Sequence, residues 1–218
     1  MSIRKSQTRA VRAESNGQRL LQAARAVFVR RGYQVATLDE IAAAAGLTKG
    51  AVYARFAGKA DLLLALLAQR IEQRLVELRA LPAPRSPAEA VDGIFRQWLE
   101  RSRDAAWNLL VVEFRVVAAR DKALNARYRA LHESVVDGVA ERIAMGAAAA
   151  GCTLRRPAPQ VARIGLAFAN GLLLERAVAG EDELPEAFAI ACNQALIDSV
   201  TDALAPVTAP ARRKARRR

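Results

Sequence analysis

TLDEIAAAAGLTKGAVYARF, residues 37–56, is the stretch whose reading decides the fold. Thr37-Leu38-Asp39-Glu40 has the form of a capping box, where a threonine hydroxyl and a glutamate three residues on satisfy the free amides of a starting helix. Ile41, Ala42 and Ala45 continue that helix, and Gly46 sits where a left-handed residue ends it. Thr48 can cap a further helix about two turns long, running to Phe56. Two short helices joined by the tight Gly46-Leu47-Thr48 turn make a helix-turn-helix. The second of them breaks two local rules. Lys49 puts a cation at the positive end of the helix dipole, and Gly50 costs about 1 kcal/mol relative to alanine inside a helix. Such a short helix is held only by packing. Val52 and Phe56, four residues apart, can face inward, which leaves Lys49, Gly50, Ala51, Tyr53, Ala54 and Arg55 facing outward. That surface suits DNA: the cations reach phosphates or base edges, the tyrosine hydroxyl reaches a phosphate, and the small residues let backbone approach.

Upstream, from Asn16, the residues Leu20, Leu21, Ala24, Val27 and Phe28 recur at spacings of three and four, and Gly32 stops their helix. Residues 1–14 are polar and basic without apolar periodicity and read as a mobile arm. Downstream, a fourth helix starts near Lys59–Asp61 with Leu62, Leu63, Leu66, Leu67, Ile71, Leu75 and Leu78 as its stripe. Three prolines in Leu81-Pro82-Ala83-Pro84-Arg85-Ser86-Pro87 break the pattern. Five more helical stretches follow, at about 87–102, 104–119, 122–149, 158–179 and 185–204. The expected organisation is all-α: an arm at 1–14, a helix-turn-helix domain at 15–60, a larger helical domain at 61–205, and a basic, disordered tail at 206–218.

The charge distribution agrees with a polyanionic partner. The chain of 218 residues carries a net charge of +12. Residues 1–60 hold eleven Lys/Arg against three Asp/Glu, residues 206–218 hold six against none, and residues 61–205 are near neutral. Positive ends on a neutral body point to nucleic acid or an anionic surface. The longest uncharged run, Ile143–Leu154, has twelve residues, short of the roughly 20 that cross a bilayer. No apolar leader precedes the first helix. Cys152 and Cys192 stand apart in alanine-rich stretches and read as small buried residues in a reducing, cytoplasmic setting. No membrane, metal or cofactor is expected.

The series Ala23-Ala24, Phe28, Gly32-Tyr33, Thr37, Ile41-Ala42, Ala45-Gly46, Lys49-Gly50, Tyr53, Phe56 and Lys59 resembles the DNA-binding region of TetR-type transcriptional regulators. The resemblance implies that Thr37, Tyr53 and Lys59 contact phosphates, and that Thr48, Lys49, Gly50, Ala51 and Arg55 form the turn and recognition helix in the major groove. Ala51 and Ala54 are smaller than the residues often found there, which leaves a thymine methyl as the base feature an alanine can meet. The arm, with Arg4, Lys5, Arg9 and Arg12, can reach a phosphate or the minor groove, or can simply be solvated.

For residues 80–205 the resemblance implies a small-molecule effector site and a dimer interface. The 158–179 helix is apolar nearly all round: Val161, Ile164, Phe168 and Leu172 form one face, and Ala167, Gly171, Leu174 and Val178 another. With Phe188, Ala191, Cys192, Ala195 and Leu196 from the next helix, the second face can form a twofold four-helix interface, or it can be plain core. A dimer suits recognition of a pseudo-palindromic site. Trp98, Trp107, Phe114, Tyr128, His132 and Asn170 are the candidate pocket residues, being aromatic with a few polar groups. His132, the only histidine, has no partners to complete a metal site.

The leading expectation is a dimeric, ligand-responsive regulator of double-stranded DNA, acting as a repressor. A sequence-tolerant architectural DNA binder, relying on the arm and the ARRKARRR tail, is the alternative, and a steep salt dependence with little sequence preference would mark it. An enzyme is not expected, because no nucleophile-elbow, P-loop, dinucleotide or metal-ligand spacing occurs.

Overall fold

A computed structural model describes residues 2–180 and 184–202. The basic tail at 206–218 lies outside the described residues. The chain runs through α1 (Ser2–Val35), α2 (Leu38–Ala45), α3 (Lys49–Tyr53), α4 (Lys59–Ala80), α5 (Pro87–Ser102), α6 (Ala105–Arg120), α7 (Lys122–Ala150), β1 (Thr153–Leu154), α8 (Ala158–Ala179), α9 (Glu186–Val200) and β2 (Thr201–Asp202). The fold is all-α. The two-residue strands pair antiparallel, Thr153 with Asp202 and Leu154 with Thr201, so α9 ends at Val200 where a helix was expected to run on.

Helix α1 begins at Ser2, where the sequence suggests a mobile arm. The reason is physical: Arg, Lys, Gln, Ala and Glu are good helix formers, and no Gly or Pro interrupts residues 2–16. Extending a formed helix avoids the unfavourable nucleation step. Gly32 breaks α1 as expected. Its φ of 76° and ψ of 164° kink the chain before one more turn.

Two compact units organise the chain, one comprising residues 1–80 and 100–135, the other 81–99 and 136–218. The whole of α4 and α6 and the first half of α7 group with the helix-turn-helix. Within the first unit, Leu20, Ala24, Val27 and Phe28 of α1 meet Ile41 and Ala42 of α2, Val52 of α3, Leu62, Leu63, Leu66 and Leu67 of α4, and Trp107, Leu110 and Phe114 of α6. On α4 the leading leucines and Leu78 are buried, whereas Ile71 and Leu75 are only half-buried. Rings form a chain through this unit, from Phe28 to Tyr33, Phe114, Tyr128 and His132.

In the second unit, Phe95, Trp98 and Leu99 pack with Ala169, Leu172, Leu173 and Ala189. Arg142 is buried and donates to the Leu81 and Pro82 carbonyl oxygens at 3.2 and 2.7 Å. Those bonds tie the proline-rich connection to α7. Gly146 brings the α7 backbone against the Ser86 carbonyl. Ile164 corrects the expected face of α8: it is exposed, while Val161, Ala162, Leu166, Ala169, Leu172 and Leu173 are buried. Cys152 and Cys192 are free and half-buried rather than fully buried.

Candidate nucleic-acid interface

The helix-turn-helix is assembled by its caps. Thr37 Oγ1 accepts from the Glu40 amide at 3.2 Å, which forms half of the capping box. Glu40 does not return the bond. Its carboxylate lies 3.3 Å from Arg31 Nε and 3.6 Å from Arg30. At the far end of α2, Gly46 is left-handed (φ 64°, ψ 34°). Its amide donates to Ala43 O at 3.1 Å and the Leu47 amide to Ala42 O at 2.9 Å, the two bonds of a Schellman termination. Arg19 of α1 adds a bond to Ala45 O at 2.9 Å, so α1 holds the turn from below. Thr48 then caps α3, accepting from the Ala51 amide at 3.2 Å.

Helix α3 is five residues long and ends at Tyr53, shorter than its periodicity suggests. Val52 is its single buried residue and Phe56 packs beyond it. Everything else on the segment faces out: Thr48, Lys49, Gly50, Ala51, Tyr53, Ala54 and Arg55 are exposed, as is Thr37 beside them. Tyr53 is 53% exposed, too much for a ring with an internal packing role. A Cβ at Gly50 would have no atom within 4 Å. Among the described residues nothing requires glycine there.

The cations are not equally free. Lys49 Nζ lies 2.5 Å from Asp39 Oδ2. That hydrogen bond, then the carboxylate charge, raises the lysine pKa, so the ammonium stays charged at any working pH. The Arg55 guanidinium lies against Gly17 of α1, 3.1 Å from where a Cβ would stand. Lys59 is half-buried and donates to Gln34 O at 2.5 Å and Ala36 O at 3.3 Å, with its ammonium 5.0 Å from the Tyr33 ring centre. It closes the α1–α2 connection, so a phosphate would have to compete with two carbonyls.

One partner of this connection carries no sequence signal. Glu113 of α6 accepts from the Tyr33 and Gln34 amides at 2.9 and 3.0 Å, occupying the two donors that the Gly32 kink frees. Asp104, the N-cap of α6, instead pairs with the guanidinium of Arg25 on α1. Helix α6 thus grips α1 at two points.

The expected pocket residues divide between the units. Trp107 and Phe114 are buried in the core of the first, Tyr128 and His132 stack on one another there, and Trp98 is buried with Phe95 in the second. Asn170 donates to Leu166 O at 2.6 Å, within its own helix. The expected dimer residues share one character: Ala167, Gly171, Leu174, Val178, Phe188 and Ala195 are all exposed. Among the described residues no group of three His, Cys, Asp or Glu stands close enough to hold a metal ion, and no helix is long and apolar enough to cross a membrane.

Residues 20–66 match the family of bacterial regulatory proteins of the tetR type. The HTH-type transcriptional regulator SrpR of Pseudomonas putida is 49% identical over 73 residues, 34% of this chain and 33% of that protein. The HTH-type transcriptional repressor BepR of Brucella suis is 39% identical over 74 residues, 34% of this chain and 35% of that one. The match thus spans about a third of the length of both relatives. A TetR transcription regulator from Haloarcula marismortui superimposes with a TM-score of 0.72 over 87% of this chain and all of its own length, at 20% identity. That likeness shows a shared all-helical fold.

Proposed function

On the premise that residues 20–66 form a TetR-type DNA-binding domain, we propose that the protein is a dimeric transcriptional repressor. In this reading it binds a pseudo-palindromic operator and a small-molecule effector releases it. One observation carries the reading. The outer face of α3 presents Lys49, Gly50, Ala51 and Tyr53 to solvent, with Arg55 just beyond its end, on a helix anchored by one valine and with a glycine that no contact among the described residues explains. Amide, hydroxyl and cation on one narrow ridge match a phosphate-lined major groove.

The apolar outer face of α8 and α9 supports the dimer. Ile164, Leu174, Val178 and Phe188 are 51%, 39%, 85% and 59% exposed, and several large apolar side chains left in solvent on two successive helices favour an interaction site. Twofold symmetry would then set two α3 helices into successive major grooves. Release would act through the first unit. Helix α4 follows α3 directly, and α6 holds α1 through Glu113 and Asp104, so an effector that favours another setting of α4 or α6 shifts the recognition helix with it.

The test is genome-wide capture of bound DNA with and without candidate effectors, followed by affinity measurement on the recovered site. Binding to that site at least about a hundredfold tighter than to random duplex at moderate salt supports the reading. Equal binding to both overturns it in favour of a sequence-tolerant binder.

A further inference from the structure

Helix α4 changes character along one stripe. Leu63, Leu67, Arg70, Arg74 and Glu77 succeed one another at helical spacings, so the face that buries leucine in its first half carries guanidinium groups in its second. Arg70 and Arg74 are partly buried, and like charges one turn apart oppose helix formation. Arg101 comes close from the end of α5 and Arg25 from α1. Arg70 and Arg25 lie over the Trp107 ring, 5.0 and 5.8 Å from its centre.

Two carboxylates answer these four cations. Asp104 contacts Arg25 and lies 3.8 Å from Arg70, and Glu77 pairs with Arg101. Arg74 has neither: no hydrogen bond or ion pair joins it to any described residue. Burial, and then the charge of Arg101, push its pKa down to about 10. Burial and the charge of Arg70 lower that of Arg101. On Arg25, Nε is buried without a hydrogen-bond partner. A desolvated cation with no counter-charge is costly, and a guanidinium offers five donors in a fork that fits carboxylate or phosphate.

DNA does not supply the missing anion. Arg74 lies fifteen residues beyond Lys59 on the same helix, about 22 Å along it at 1.5 Å per residue, away from the α3 ridge.

We propose that Arg74, flanked by Arg70 and Arg101, binds the carboxylate or phosphate group of a small anionic effector. The effector role rests on the regulator reading above; the anion site does not. Such an anion competes with Asp104 for Arg70. Binding therefore loosens the contact between α4, the helix that follows the helix-turn-helix, and the start of α6.

The test uses the full chain and its Arg74→Gln and Arg74→Lys variants. Melting temperature is followed against inorganic phosphate and against succinate, with sodium chloride at matched ionic strength as baseline. The expected result has three parts. The wild type gains several degrees, saturably, with phosphate or succinate, and the more effective of the two names the group. Arg74→Gln melts about 2–4 °C above the unliganded wild type, because an unpaired charge has gone, and loses the anion increment. Arg74→Lys keeps part of it. A general stabilising effect of phosphate on folded proteins would leave the increment unchanged in Arg74→Gln and would overturn the proposal. So would a lower melting temperature in that variant, the mark of a structural arginine. DNA affinity of the same samples separates the two readings. An anion that binds without weakening DNA affinity overturns the effector role. Failure of every sample to prefer the recovered site counts against the regulator reading and leaves the anion site standing on its melting data.

Discussion

The outer face of α3 and the outer face of α8–α9 have the same underlying form and opposite chemistry. Each is an exposed helical ridge with a glycine, Gly50 or Gly171, that faces empty space. Around Gly50 stand Lys49, Tyr53 and Arg55. Around Gly171 stand Ala167, Leu174 and Val178. Gly146 shows the contrary case: a Cβ there would come 2.3 Å from the Ser86 carbonyl oxygen, so the fold itself demands it. A glycine open to solvent is unexplained from within, and its neighbours indicate what would approach. Cations and a hydroxyl fit a polyanion. A largely apolar ridge, with Glu175 beside it, fits a second copy of itself.

The largest expected effect breaks the first half of that comparison. Replacing Lys49, Tyr53 and Arg55 together by alanine should lower operator affinity by at least about a hundredfold, read by fluorescence anisotropy. The melting temperature should hold, because all three side chains are exposed. Full retention of affinity would remove α3 from the DNA interface. Next comes the second ridge. Leu174→Glu with Val178→Glu should leave a monomer in sedimentation at micromolar concentration. Operator affinity should then fall about tenfold or more, since two tethered half-sites no longer act together. A dimer that survives the double change would place the interface elsewhere.

The glycines sharpen the contrast. Gly146→Ala should destabilise the protein by about 1–3 kcal/mol in chemical denaturation, because backbone atoms of Ser86 must shift. Gly50→Ala should instead add up to about 1 kcal/mol of stability through helix propensity, while weakening DNA binding severalfold. Opposite signs of stability from one substitution type would show that the two residues answer to different constraints. Equal destabilisation would mean that Gly50 has an internal role after all.

What the sequence made legible was local. Thr37, Gly46 and Thr48 declare their caps by residue type and spacing, and the stretches near 87–102, 122–149 and 158–179 each have a proline or glycine, Pro87, Gly151, Pro157 or Gly180, marking at least one end. What stayed hidden depends on partners distant in sequence. Glu113 reads as an ordinary helix residue until α6 packs beside the kink at Gly32, eighty residues earlier. Arg74 follows leucines in register, and its missing counter-charge shows only when α5 is seen to bring Arg101 to Glu77 and the start of α6 to bring Asp104 to Arg25 and Arg70. Lys59 fits a phosphate contact by position, yet its ammonium meets two carbonyls of the α1–α2 connection. Ile164 lies on the periodicity of the inner face but falls at its edge, and neighbouring helices decide which way an edge residue turns.

The smallest expected effect concerns the Lys49–Asp39 pair, where the first ridge is not purely basic. Asp39 stands in the first turn of α2 and holds the Lys49 ammonium at 2.5 Å, with the lysine side chain largely exposed and the aspartate half-buried. An exposed pair of this kind adds little to stability. Asp39 Oδ1 is buried without a hydrogen-bond partner, so the carboxylate has no second tie to lose. On DNA, Lys49 must either leave Asp39 or carry a carboxylate toward the phosphates, and both oppose binding. Asp39→Asn keeps the shape and removes the charge. Affinity should rise about two- to fivefold for operator and random duplex alike, because the change acts on the sequence-independent electrostatic component, and their ratio should hold. If the carboxylate instead aims Lys49 at a base edge, the same substitution would lower operator affinity and narrow the ratio, and Asp39 would count as part of the readout.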